Sequence, residues 1–127
     1  DSLTYTYQIN SNYEFVNMSM VMDGVVKMFD DTIEYRNYTL EATYANNNNI
    51  NLSVNGYIKT PCLNAWIQIT TTEDIQINEY ASCPTAGEIT IGGNASNMTV
   101  IFNSDYSADV SVNGGASQHY NNCNELD

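Results

Sequence analysis

The sequence predicts an all-β protein: an antiparallel meander folded into a β-sandwich, with a closed barrel as the alternative. Three observations predict it. Apolar and polar residues alternate with period two almost from end to end, the pattern of strands with one covered face. Clusters of Asn, Gly, Asp and Ser interrupt that alternation at short intervals, where a chain reversal needs their backbone freedom. No segment keeps helical periodicity for more than a turn or two. A sheet of roughly nine or ten short strands then has to fold over or close to cover its apolar face.

In chain order, Leu3, Tyr5, Tyr7 and Ile9 share one face of a first strand. The stretch Glu14 to Met22 puts Val16, Met18, Met20 and Met22 on one side. Asp23-Gly24 follows and reads as a hairpin turn, because Gly supplies the positive φ of a type I′ turn. Val25 to Phe29 returns, and Asp30-Asp31 turns again. Thr32 to Ala45 is a longer strand whose alternation changes phase between Tyr35 and Tyr38, which predicts a bulge at Arg36-Asn37. The Asn run at 46–49 is a turn, since Asn tolerates the left-handed region.

Ile50, Leu52 and Val54 alternate next, and Pro61 ends that arm. Ala65, Ile67 and Ile69 alternate around Trp66, and Ile75 and Ile77 around Gln76. The irregular stretch Thr71 to Thr85 suits a crossover between two sheets, with Asn78 to Gly87 as a loop. Glu88 to Ile91, Met98 to Asn103 and Ala108 to Asn113 are the last strands, joined by turns at 92–94 and 104–107. From Gly114 the pattern is lost. The organisation expected is one all-β domain over 1–113 and a Gly/Asn-rich tail over 114–127.

Charge removes some functions. Fifteen carboxylates face three basic side chains, for a net charge of −12 over 127 residues. Such a chain repels phosphate backbones and anionic lipid, so nucleic-acid binding is not expected. With 43% hydrophobic residues and ten Tyr it is too apolar for a disordered chain. No apolar run approaches the roughly 20 residues that span a bilayer, so membrane insertion is not expected either. Without an initiator Met, Asp1 reads as a processed or trimmed terminus.

Asn, Thr and Ser solubilise the surface, while only Lys27, Lys59 and Arg36 are basic. Acceptor triplets for N-glycosylation begin at Asn17, Asn37, Asn51, Asn94 and Asn97, with Asn94 and Asn97 flanking a turn. The three cysteines are Cys62, Cys83 and Cys123, at spacings that match no zinc or haem pattern. In an oxidising setting Cys62–Cys83 is the favoured disulfide. Cys123 is left to pair with either of them, to cross-link a neighbouring chain, or to stay free. These features together point to an extracellular or cell-surface location.

The stretches Cys62-Leu63-Asn64-Ala65-Trp66-Ile67, Cys83 to Ile91 and Val110-Ser111-Val112-Asn113-Gly114 resemble β-rich regions of secreted or lipid-anchored cell-envelope proteins of marine bacteria. The likeness is one of texture over about half the chain and includes no catalytic motif. It implies an exported surface protein.

No catalytic constellation emerges, and the expectation is that the chain is not an enzyme. The single histidine, His119, falls in the unpatterned tail and reads as solvated. Asp30-Asp31 and Glu73-Asp74 are sequence neighbours, which strands point to opposite faces rather than across a cleft. No cofactor is indicated. Calcium is the ion that suits the acidic turns, at Asp30, Asp31 and Glu34 or at Asp105 and Asp109, although neither set matches a defined loop. Tyr35, Tyr38, Tyr44, Tyr57 and Trp66 are the candidates for a sugar-stacking platform, against their ordinary use as strand residues.

The function expected is an extracellular structural or adhesive surface protein, a fibre subunit assembled by β-strand exchange through residues 3–9. A strand at the start of the chain is free to pair with a neighbour's open edge, and little Lys or Pro is present to blunt edges. The alternative is a monomeric binding module for glycan or protein, assisted by calcium.

Overall fold

The computed structural model describes residues 1–28, 31–45 and 48–126. Nine strands follow in chain order: β1 (Ser2–Ile9), β2 (Phe15–Met28), β3 (Asp31–Tyr44), β4 (Asn49–Lys59), β5 (Trp66–Asn78), β6 (Ala86–Gly92), β7 (Asn97–Phe102), β8 (Ala108–Val112) and β9 (Gln118–Tyr120). A short 3₁₀ turn over Cys123–Leu126 comes last. Every strand pairs antiparallel with its chain neighbour, giving one sheet ordered β1 to β9. The all-β meander is as the alternation predicts. The sheet does not close into a barrel, so β1 and β9 are its two edges.

The register lines up one apolar face. Leu3, Tyr5 and Tyr7 stand opposite Met22, Met20 and Met18. Those three methionines face Tyr38, Leu40 and Ala42 in turn. Leu40 and Ala42 face Val54 and Leu52, and Leu52 faces Ile75. The opposite face carries Thr, Ser, Asn, Gln and Glu from the intervening positions, as in the rows Ser19–Glu41–Ser53 and Asn17–Thr43–Asn51–Gln76.

Coverage is shallow. Among the described apolar side chains only Ile75, Cys83, Val100 and Ala108 are buried, and every residue of β4 is half-exposed whichever face it points to. The chain exposes 8345 Å². A compact monomer of 14.1 kDa exposes about 6,700 Å² by the usual scaling of surface with mass. The difference is the cost of keeping all nine strands in a single sheet.

The long strands are bent along a line of register shifts. The shifts fall between Met22 and Gly24 on β2, Arg36 and Thr39 on β3, Leu52 and Asn55 on β4, and Thr71 and Gln76 on β5. The bulge expected at Arg36-Asn37 is there, with Asn37 at φ 46° and its amide donating to Asp23 Oδ1 at 2.7 Å. The phase change brings Tyr35 and Tyr38 onto one face, ring centroids 5.2 Å apart. Thr71 fills the next step: its Oγ1 accepts from the Val54 amide and donates to the Val54 carbonyl, both at 2.8 Å.

Three expectations are corrected here. Asp23-Gly24 is not a hairpin turn, because β2 runs straight through it to Met28. Its positive φ of 129° serves the bend, and the Asp23 side chain holds the bulge on β3. Thr71 to Asn78 is not a crossover but the second half of β5, paired with β4 and β6 around its bulges. The segment after Gly114 is not a loose tail: β9 pairs with β8, Val110 opposite Gln118 and Ala108 opposite Tyr120. The Asp30 part of the second turn and Asn46-Asn47 of the Asn run lie outside the described residues. Asn48, within the same run, has the left-handed φ of 60°.

Candidate functional site

The two edges of the sheet differ. At the far edge β9 is three residues long and is held from behind. A disulfide joins Cys83, in the β5–β6 loop, to Cys123, and the Cys123 amide donates to the Tyr106 carbonyl. Asp109 Oδ1 adds a contact across the strands, 2.8 Å from His119 Nδ1. At the near edge β1 has eight residues, all exposed, with β2 as its one neighbouring strand in the sheet.

The row on β1 is apolar and aromatic. Leu3 is 64% exposed, Tyr7 57% and Phe15, beside it on β2, 52%. Tyr7 packs between Tyr5 and Phe15 with ring centroids 5.8 Å apart on each side, the spacing of tilted and edge-to-face pairs. No charged residue occurs from Ser2 to Tyr13, in a chain of net charge −12. A tight turn joins β1 to β2, with Tyr13 at φ 62° and the Asn10 side-chain oxygen accepting the amides of Asn12 and Glu14. The edge therefore combines open backbone groups, an apolar row and no charge, the conditions under which strands add to sheets.

A second cluster lies on the polar face at the β2–β5 corner. Register puts Lys27 opposite Thr32, Glu34 opposite Lys59, Arg36 opposite Tyr57, and Lys59 opposite Trp66. Arg36 lies over the indole of Trp66, Cζ 4.2 Å from the ring centroid, and Lys59 Nζ lies 3.7 Å from Glu34 Oε2. All three basic side chains of the protein are thus on one face of one corner. No local pattern reveals this, because the residues come from three strands and only the register aligns them.

The five expected stacking residues do not form one platform. Tyr57 and Trp66 share the polar face, whereas Tyr35 and Tyr38 pair on the apolar face and Tyr44 lies at the far end of β3 opposite Ile50. Burial, and secondarily the neighbouring Tyr35, raise the Tyr38 phenol above its ordinary value. Of the glycosylation triplets, Asn37, Asn94 and Asn97 are exposed. Asn17 and Asn51 are half-buried within strands, and the Asn17 amide donates to Gln8 Oε1 at 2.8 Å.

The Cys62–Cys83 pairing is corrected: Cys83 bonds Cys123 with Cα atoms 5.7 Å apart, and Cys62 is free and exposed. The reason is topological. Cys62 precedes β5 and Cys83 follows it, so a strand on the order of 40 Å long separates them, against the ~7 Å limit for a disulfide.

The acidic sets hold internal partners. Asp105 Oδ1 accepts from the amide and hydroxyl of Ser107, and these bonds lower its pKa. Asn103 Nδ2 donates to Asp109 Oδ2 at 2.9 Å, and this bond, followed by that from His119, lowers the Asp109 pKa. His119 is therefore corrected from a solvated tail residue to the cross-strand partner of Asp109. Asp30 lies outside the described residues. Among the described residues no three His, Cys, Asp or Glu side chains are grouped to hold a metal, and no helix is long and apolar enough to cross a membrane.

Fold and edges together define the class: an open nine-stranded antiparallel meander, pinned by a disulfide at one edge and carrying an uncharged apolar strand at the other. Compared with protein-family models, curated proteins and solved structures, the chain matches none.

Proposed function

We propose that the protein is an extracellular structural or adhesive protein that assembles through β1, residues 3–9 of one copy exchanging onto β2 of the next. The observation that carries this reading is β1 itself: an edge strand exposed along its whole length, apolar on one face and free of charge. Exchange replaces an intramolecular strand by an identical one, so its contacts are already complementary. The 8345 Å² surface, large for the mass, leaves area for a neighbour to cover. A structural disulfide and exposed glycosylation triplets at Asn37, Asn94 and Asn97 suit an oxidising, extracellular setting.

Negative-stain electron microscopy of the purified chain tests the proposal. Regular fibres are expected from the full sequence and dispersed particles from a chain lacking residues 1–9. Normal fibres from the truncated chain would show that another surface drives assembly.

A further inference from the structure

We propose that the polar-face corner of Arg36, Lys59, Lys27, Tyr57 and Trp66 binds an acidic oligosaccharide, sugar rings that carry a carboxylate or a sulfate. The proposal does not rest on assembly through β1, since the basic side chains come from β2, β3 and β4.

Charge carries the first part of the argument. The protein has three Lys and Arg side chains in all and a net charge of −12, yet all three are on one face of three adjacent strands, β2, β3 and β4. Three carboxylates lie close by, one of them Asp1, whose side chain lies against Gly24. Asp23 is engaged with the Asn37 amide, and Glu34 neutralises Lys59 at 3.7 Å. An anion is attracted at this corner and repelled by the carboxylate-rich remainder, which confines binding to a short ligand or a chain end. A long phosphate backbone, with a charge every ~1.7 Å of axis in a duplex, meets that remainder instead.

Geometry carries the second part. Arg36 Cζ lies 4.2 Å over the Trp66 ring centroid, and a guanidinium held over an aromatic ring keeps N–H groups for a carboxylate or sulfate. A shallow hollow lined by Asp23, Gly24, Val25, Glu34, Tyr35, Arg36 and Trp66 lies beside it, with the Asp23 carboxylate turned to the Asn37 amide. The adjoining positions on this face are Tyr57, Gln68 and Thr70, a phenol, an amide and a hydroxyl, while the Asn55 amide beside them is bonded to Thr71 and Ser53. Those groups match the hydroxyls of sugar rings.

Glu34 makes the proposal signed. It holds Lys59, and a ligand acid has to displace it. Removing the Glu34 charge therefore strengthens binding, while removing cations weakens it.

The test uses the folded chain, whose single tryptophan, Trp66, reports by its own emission. Trigalacturonate and a sulfated trisaccharide distinguish carboxylate from sulfate recognition, with maltotriose and triglutamate as controls. Titration with either acidic sugar is expected to shift Trp66 emission, with neither control doing so. Affinity should fall by about tenfold in Arg36→Lys, which keeps the charge but loses the fork and the stack, and further in Arg36→Ala/Lys59→Ala. Glu34→Gln should bind about two- to fivefold more tightly. Circular dichroism checks that each variant is folded. Equal binding of maltotriose or triglutamate overturns the proposal, as does unchanged affinity in the folded double variant or weaker binding in Glu34→Gln.

Discussion

His119 Nδ1 lies 2.8 Å from Asp109 Oδ1, directly across the β8–β9 ladder, and this pair fastens the last strand to the sheet. Asp109 is also bonded by Asn103, so its carboxylate is favoured over the acid and its folded pKa lies below the ordinary 3.8. A lowered folded value means that the unfolded chain binds the proton more readily. The contribution to stability is therefore complete above pH 3.8 and is lost as the pH falls through the folded value. Asp105, lowered by its bonds from Ser107, adds in the same direction. Thermal unfolding between pH 2 and 6 should show the midpoint dropping at the acid end, and Asp109→Asn should flatten that drop. Hydrogen exchange at β9 should rise first.

The Cys83–Cys123 bond closes a separation of 40 residues, and loop-closure entropy assigns such a cross-link about 4 kcal/mol. Cys83→Ser or Cys123→Ser should lower stability by up to that amount in denaturant titration. Cys62→Ser, at an exposed free thiol, should leave the midpoint within about 0.5 kcal/mol of the parent. Peptide mapping without reduction should recover 83 linked to 123 and no peptide linking 62 to 83.

Gly56 sits on the bend at φ 133°, where a Cβ would stand 2.5 Å from the Asn37 carbonyl oxygen and from Tyr38 Cα. Both are backbone atoms of β3, so the strands must separate to admit a side chain. Gly56→Ala should cost about 2 kcal/mol or more from strain and clash together. Gly92, with open space around it and an ordinary φ, is the control: Gly92→Ala should change stability by less than about 1 kcal/mol.

Tyr5 and Tyr7 stand half-exposed on β1, so charging them tests assembly with little effect on the monomer. Tyr5→Lys/Tyr7→Lys should abolish sedimenting fibres by placing like charges along the edge. The unfolding midpoint of the dispersed chain should move by no more than a few degrees. Fibres formed by this variant at the parental rate would contradict a role for β1.

The strands themselves were legible because alternation is a local signal, as from Leu3 to Ile9 and from Ile50 to Val54. The bulge at Arg36-Asn37 was equally legible, since a phase change in the alternation has few other causes. Asp23-Gly24 misled because a glycine at positive φ serves a bulge as well as a turn, and the side-chain partner that decides between them, the Asn37 amide, is 14 residues away. The five expected stacking residues divide between the faces for a related reason. Residue type marks Tyr35 and Tyr57 alike, but the register sends them to opposite faces.

The sequence by itself determined an all-β meander, most of its strand positions, its acidic composition and a first strand without charge. These depend on composition and on a two-residue period. Only the tertiary structure decided that Cys123 reaches Cys83, that His119 meets Asp109, that Arg36 and Lys59 meet Trp66, and that Lys27 shares their face. Each of these joins residues far apart in the chain, and their meeting depends on strand order and pairing register. A shift of one residue in register would turn every such side chain to the other face.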